Sequence, residues 1–200
     1  MRRRSAAAST LAHHPRALES GRLYLEPLGV RHAPDLFDAL ADDELYRFIP
    51  TEPYASVDAL AARYAHVARG PIAEGERWWN WALVVRCDPR RVIGTLEISI
   101  DRDGTHALLA YALGRESWGA GFATEAAHAA IGELRSTTNI REIEAFIDSR
   151  NARSIALVER LGFTRKGFIA NADYFKASTS DEVVFALALR EDNDAETQGR

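Results

Sequence analysis

The stretch "WGAGFATEA" (118–126) places two glycines two residues apart and then runs straight into helix-forming sequence. Glycine costs backbone entropy on folding and is poor inside a helix. A pair at a helix entrance has two explanations. Either a tight loop enters a packed helix, or something must approach the main chain closely there. The first turn of a helix presents unpaired N–H groups and the positive end of its dipole, so an anion is the natural visitor. The nine residues leave both readings open, and their surroundings must decide.

Upstream, "RLYLEPL" (22–28) alternates as a strand does. "APDLFDALADDELYRFI" (33–49) carries Leu36, Phe37, Leu40 and Leu45 at helical spacing. "SVDALAARYAHVARG" (56–70) does the same with Val57, Leu60, Tyr64 and Val67, with Ser56 suited to the N-cap and Gly70 to the stop. Three strand-like runs follow: "WWNWALVVR" (78–86), "RVIGTLEISI" (91–100) and "HALLAYAL" (106–113). Their separators, "CDPR" and "DRDGT", are turn material, which predicts an antiparallel meander. The glycine stretch then opens a helix to about Arg135, with Phe122, Ala126, Ala129, Ala130 and Leu134 as its apolar stripe. A strand "EIEAFID" (142–148), a short helix "NARSIALVERLG" (151–162) and two strands, "FTRKGFIA" (163–170) and "EVVFALAL" (182–189), close the chain. Asn151 suits an N-cap, Gly162 a left-handed terminator, and Phe163 would fold back onto Val158. The order is β-α-α-β-β-β-α-β-α-β-β, a mixed α/β (α+β) sheet.

Composition bounds the function. The chain has 200 residues, of which 46% are hydrophobic, enough for one domain, expected over residues 21–190. Residues 1–20, rich in Arg, Ala and Ser, read as a flexible tail, with a transit peptide as the alternative of similar composition; residues 191–200 read as a second tail. No apolar run reaches membrane-spanning length. A net charge of -4 gives no footing for nucleic-acid binding. The single cysteine, Cys87, excludes an internal disulfide, fits a reducing, cytoplasmic setting and reads as a structural thiol at a strand end. No metal-ligand pattern stands out, so no metal is expected.

Three phosphate motifs compete for the glycine stretch. The chain has no Walker loop G-x-x-x-x-G-K-[ST]. Gly119 and Gly121 match the first two places of a dinucleotide fingerprint, but Thr124 occupies the third, and the turn follows a meander rather than opening a parallel βαβ unit. The third option explains more. "AYALGRESWGAGFATEA" and "NARSIALVERLGF", in this order of elements, resemble the GNAT superfamily of N-acetyltransferases, and within it the RimJ/RimL group. The resemblance covers roughly residues 20–190. Trp118, Gly121 and Ala123 stand in the superfamily's signature, with Trp118 departing at a place usually held by Gln or Arg and where backbone rather than side chain should matter.

The resemblance implies the GNAT fold, a mixed, mostly antiparallel sheet with splayed central strands, and acetyl-CoA as cosubstrate. The pyrophosphate would sit on N–H groups of Gly119, Ala120, Gly121, Phe122, Ala123 and Thr124, beside Trp118. The strand before the turn would part from its neighbour at a bulge and offer the backbone of Tyr111, Ala112 and Leu113 to the pantetheine arm. Asn151 is implied as helix cap, cofactor contact, or both. The tyrosine that many relatives use as general acid is Val158 here; the RimL-like proteins place a serine one turn earlier, Ser154. For the base, Asp173 falls about where that group carries a carboxylate, and Glu97, an acid in mid-strand, is its rival. His106 and Tyr111 read as packing or edge residues.

The implied reaction is attack of a primary amine on a thioester within a ternary complex. The amine must lose a proton, from a pKa of ~8 for an α-amine or ~10.4 for a lysine-like one. The acceptor is a protein N-terminus or a small-molecule amine, in a pocket expected between the first two helices and the last strands. Of the clustered rings Trp78, Trp79, Trp81, Tyr174 and Phe175, most read as core. The enzyme would be a monomer or homodimer. Two other classes remain: a non-catalytic acyl-CoA-binding module and a nucleotide-dependent oxidoreductase.

Overall fold

Apolar alternation along consecutive strands builds one sheet with a buried layer on each face. The computed structural model describes residues 14–190. Its elements are β1 (Leu18–Glu19), β2 (Leu23–Pro27), α1 (Ala33–Phe37), α2 (Val57–Arg69), β3 (Arg77–Val85), β4 (Asp88–Ile100), β5 (His106–Leu113), α3 (Phe122–Thr137), β6 (Glu142–Asp148), α4 (Ala152–Arg160), β7 (Thr164–Phe175) and β8 (Ser178–Ala188). The strands lie in the order β1-β2-β3-β4-β5-β6-β8-β7. Every neighbouring pair is antiparallel except β5 and β6, which are parallel.

On one face, α3 and α4 cover Leu23, Trp81, Leu96, Ile98 and Ile143, all without measurable exposure. Each buried aliphatic side chain of this kind stabilises the fold by about 1.5–3 kcal/mol. On the other face, α1 and α2 pack Leu36, Leu60 and Tyr64 on Ala82, Val84 and Val92. The sequence-read ends of α2 hold: Ser56 Oγ accepts from Ala59 N at 3.1 Å, and Gly70 stops the helix at φ 80°. Those of α4 hold too. Asn151 Oδ1 accepts from Ser154 N at 3.2 Å, Gly162 has φ 89°, and Phe163 N donates to Val158 O at 3.0 Å.

Three expectations change. Residues 14–20 are not tail: Leu18 and Glu19 pair with Leu25 and Tyr24, and Trp81 Nε1 donates to the Arg16 carbonyl at 2.8 Å. Residues 1–13 and 191–200 lie outside the described residues. The helical pattern of 33–49 breaks after Phe37 and resumes as a 3-10 turn over Asp43–Phe48. Asp42 explains the break, because its side chain accepts from Glu44 N at 2.9 Å and competes with helix continuation. Asp173 stands inside β7, opposite Ser180, rather than after a strand end.

Gly94 lets β4 close on β5. A Cβ there would stand 2.2 Å from the Ala112 carbonyl oxygen and 2.8 Å from Leu113 Cα, both backbone atoms. Gly94→Ala must therefore push β5 aside, and a destabilisation of at least about 1–3 kcal/mol is expected. Chemical denaturation measures it; an unchanged midpoint would mean that the two strands have slack.

Candidate active site

Two strands part company at the centre of the sheet. The parallel ladder between β5 and β6 runs from His106↔Glu142 to Leu108↔Glu144 and stops. β5 continues to Leu113, still paired with β4, while β6 continues to Asp148, still paired with β8. The expected splay is present, but the β4–β5 register runs through it without a shift, so no bulge in that ladder causes it.

The gap opens into a cavity of about 1570 Å³. Tyr111, Ala112 and Leu113 line one wall, Asn151 and Ser154 another, and the glycine turn closes the end with Trp118, Gly119, Gly121, Phe122, Ala123 and Thr124. Ala120 is not part of the lining; its carbonyl accepts from Arg22 Nη1 at 2.9 Å. Glu97 and Asp173 do not line it either. Gly119 and Gly121 have φ of 72° and 80°, left-handed values that a side chain opposes, and Gly121 is the N-cap of α3. Main-chain N–H groups can thus face a ligand without a Cβ between them.

Trp118 departs from expectation. Its side chain does bear on the site: Nε1 donates to the Leu113 carbonyl at 2.6 Å, tying the turn to β5. That carbonyl is therefore already engaged, which narrows what Leu113 can offer to a pantetheine arm.

The Tyr111 hydroxyl is buried beside Ser154, close enough to be influenced by it but without a well-formed hydrogen bond. Burial pushes this phenol up, with Ser154 and then Arg160 acting the other way. Such an orphaned hydroxyl costs about 1–3 kcal/mol unless something in the cavity satisfies it. This fits a bound ligand with polar groups, and it makes Tyr111 more than the packing residue read from sequence.

Glu97 sits between Asn80 of β3 and Ala110 of β5, on the face covered by α1 and α2. Burial pushes its carboxyl up, against the opposing effects of Arg63 and a Thr95 hydrogen bond. Its charge is felt by Tyr64, a buried phenol that Tyr54 and Tyr46 also influence. Tyr46 belongs to the 43–48 turn, and Lys176 Nζ donates to its carbonyl at 2.9 Å, linking that turn to the β7–β8 hairpin. Leu45, Phe48 and Ile49 of the same segment line the cavity. Asp173 lies in another acidic neighbourhood: burial pushes the Glu182 carboxyl up, and the charges of Asp173 and Asp148 add to it. Of the clustered rings, Trp79 and Trp81 are core as read, and Tyr174 is exposed.

Sequence reading missed the cations. Arg150, Arg153 and Arg160 line the cavity, and the Arg153 guanidinium lies 4.9 Å over the Trp118 ring. The seven-residue spacing of Arg153 and Arg160 along α4 was the signal that could have shown those two on one face; Arg150 precedes the helix. Asp148 was missed as well. Burial pushes its carboxyl up, but hydrogen bonds from Arg150 and Ser180 prevail and hold it at about 2. With Asn151 N donating to its carbonyl at 2.8 Å, Asp148 sets the entry to α4. Asp101, Asp103 and His106 also cluster, but they serve the exposed β4–β5 turn: both aspartates accept from Thr105 N, and Asp101 also accepts from His106 N.

A family model for the acetyltransferase (GNAT) domain matches residues 22–164. The chain belongs to the GNAT acetyltransferase family. It is 29% identical over 175 residues to the uncharacterized N-acetyltransferase p20 of Bacillus licheniformis, covering 87% of this chain and 97% of that one. It is 33% identical over 102 residues to the ribosomal protein uS5-alanine N-acetyltransferase of Escherichia coli, half of each chain (50% and 53%). Its fold is similar to that of spermidine N-acetyltransferase from Vibrio cholerae, with a TM-score of 0.70 at 19% identity, covering 84% and 95% of the two chains. The protein is thus an acyltransferase of this superfamily, with its mixed eight-stranded sheet. No helix among the described residues is long and apolar enough to cross a membrane.

Asp148→Asn tests the α4 entry. The native carboxyl is held low, so its stabilising contribution is full above the unfolded value of about 4 and is lost as pH falls toward about 2. Chemical denaturation at neutral pH should show the variant weaker by about 1–3 kcal/mol. The difference should shrink through that acid window; a constant difference would assign the effect to packing.

Proposed function

We propose that the protein transfers an acetyl group from acetyl-CoA to a primary amine, by direct attack in a ternary complex. One observation carries this reading: an open strand edge and a left-handed glycine turn at a helix N-terminus face the same cavity. The residues present fit acetyl-CoA. The turn from Gly119 to Thr124 would take the pyrophosphate and the backbone of Tyr111 and Ala112 the pantetheine amides. The α4 arginines would meet remaining phosphate charge. When bound, acetyl-CoA supplies the activated acyl group.

The chain's own residues must then manage protons. Ser154 and the unpaired Tyr111 hydroxyl stand together on the cavity wall, as hydrogen-bond donors for a departing thiolate. Of the two candidate bases, Glu97 has the more suitable chemistry, because a carboxyl raised by burial is a better proton acceptor near neutral pH. Glu97 does not line the cavity, so as the base it would act through intervening groups. Asp173 and Glu182 form an acidic neighbourhood outside the cavity lining that would draw in a cationic amine. Two acceptor classes have support among relatives: a protein N-terminal alanine and a polyamine. A single domain over residues 21–190, extended at its start by β1, suffices for this chemistry.

The decisive experiment is a panel of N-terminal peptides, polyamines and amino acids with acetyl-CoA, following free thiol. Turnover with none of them, despite tight CoA binding, would favour the non-catalytic acyl-CoA-binding alternative. Gly121→Val forces a branched side chain into a left-handed backbone, so acetyl-CoA affinity should fall at least about tenfold, ~1.4 kcal/mol. Unchanged affinity in calorimetry would make the turn merely structural.

The pH profile separates the carboxylates. Ser154→Ala should lower kcat while leaving the acetyl-CoA Kd alone. Glu97→Gln should remove the acidic limb of kcat/KM, since in the native protein activity falls as pH drops through the raised Glu97 value. Asp173→Asn should raise the acceptor KM and keep that limb. If Asp173→Asn is the variant that moves the limb, Asp173 is the base.

A further inference from the structure

Glu125 is an awkward neighbour for an anion. It belongs to the first turn of α3 and lines the cavity, so its charge opposes the ligand that the helix N-terminus would attract. Three hydrogen bonds answer that charge. Oε1 accepts from Ser20 Oγ at 2.7 Å and from Arg22 N at 2.6 Å, and Oε2 accepts from Arg22 Nε at 2.7 Å. Burial pushes the Glu125 carboxyl up, but these bonds prevail and hold it below its ordinary value.

Arg22 does more than pair. Its Nη1 donates to the Ala120 carbonyl at 2.9 Å, and its guanidinium lies 4.5 Å over the Phe122 ring. Nη2 stands 3.5 Å from the place a Cβ on Gly121 would occupy. One side chain therefore touches three successive residues of the turn and the helix that follows. Its side chain is half-exposed, at 51%, so the ion pair by itself contributes little stability. The contacts have another use.

In a trans peptide, the C=O and the next N–H point in opposite directions. The Ala120 carbonyl and the Gly121 N–H form one such unit. With the carbonyl held by Arg22, the Gly121 N–H must point away from Arg22. Gly119 and Gly121 line the cavity, whereas Ala120 and Arg22 do not. Gly121 on one side of this peptide, with Gly119 one residue before Ala120, eases its rotation, and a flip would turn a carbonyl oxygen toward the anion. We propose that Arg22 is a positioning residue for cosubstrate binding: it clamps the outer side of the 119–122 turn so that the Gly121 N–H is aimed at the pyrophosphate, and it cancels the Glu125 charge. This rests on the acetyl-CoA reading above.

The test compares two acyl donors, acetyl-CoA and S-acetylpantetheine, using the acceptor chosen by the panel. S-acetylpantetheine carries the same thioester but no pyrophosphate. Arg22→Gln should raise KM for acetyl-CoA about tenfold with kcat little changed, and leave kcat/KM for S-acetylpantetheine at the native value. Arg22→Lys, which can pair with Glu125 but cannot grip both partners as a fork, should fall between. Adding Glu125→Gln to Arg22→Gln should recover part of the acetyl-CoA affinity, through removal of the unpaired charge. Equal losses for both donors, or no loss for either, would overturn the proposal. Full recovery in the double variant would overturn the aiming of the Gly121 N–H. Failure of the native protein to bind CoA in calorimetry would instead remove the acetyl-CoA reading itself, before any variant is compared.

Discussion

The whole site depends on a ladder that stops. β5 and β6 pair for three residues and then diverge, although each stays paired on its other side. Unpaired backbone groups in a protein interior are costly, so such an edge must meet water or a ligand that can act as a strand. Topology then gathers the remaining parts. Parallel neighbours need a crossover, and α3 supplies it, so its N-terminus falls at the end of β5 where the strands separate. α4 follows β6 and begins at the same end. Two helix N-termini and one open strand edge converge there because the chain has no other way to connect a parallel pair.

Charge is arranged around this convergence in layers. The inner surface is more apolar than polar, and the glycine turn, Tyr111 and Ser154 supply part of its polar share. Beyond it, Arg153 and Arg160 add positive charge along α4, with Arg150 just before the helix paired to Asp148. Two acids close to these elements are committed to partners: Glu125, which lines the cavity, to Arg22 and Ser20, and Asp148, at the entry to α4, to Arg150 and Ser180. Carboxylates held below their ordinary range in this way brace the backbone. Glu97 is the contrast, since burial pushes it up on the opposite face of the sheet. The division suits a reaction whose donor is a polyanion and whose acceptor is a cation before it loses its proton.

Much of this was legible residue by residue where the cause is local. Ser56, Gly70, Asn151 and Gly162 act within four residues of themselves, and each caps its helix as read. The glycine turn was legible for the same reason, as a left-handed backbone is a property of the residue that adopts it. The break after Phe37 was missed although its cause is also local, because Asp42 competes with a helical pattern that looked unbroken. The edge strand at Leu18 was missed for a different reason. Two residues have no periodicity to read, and their pairing depends on β2 being present already.

The sequence by itself determined the order of elements, the helix ends, the family likeness and the turn that a phosphate can approach. All of these follow from short-range backbone preferences and apolar periodicity. Tertiary structure alone decided that β5 and β6 part after Leu108, that the Trp118 indole engages the Leu113 carbonyl, and that Glu97 is half-buried with its carboxyl pushed up while Asp173 joins other acids. It also brought Arg22 to Glu125 and Ala120, about a hundred residues along the chain. Such contacts are set by which strands lie side by side, and no local pattern encodes that choice.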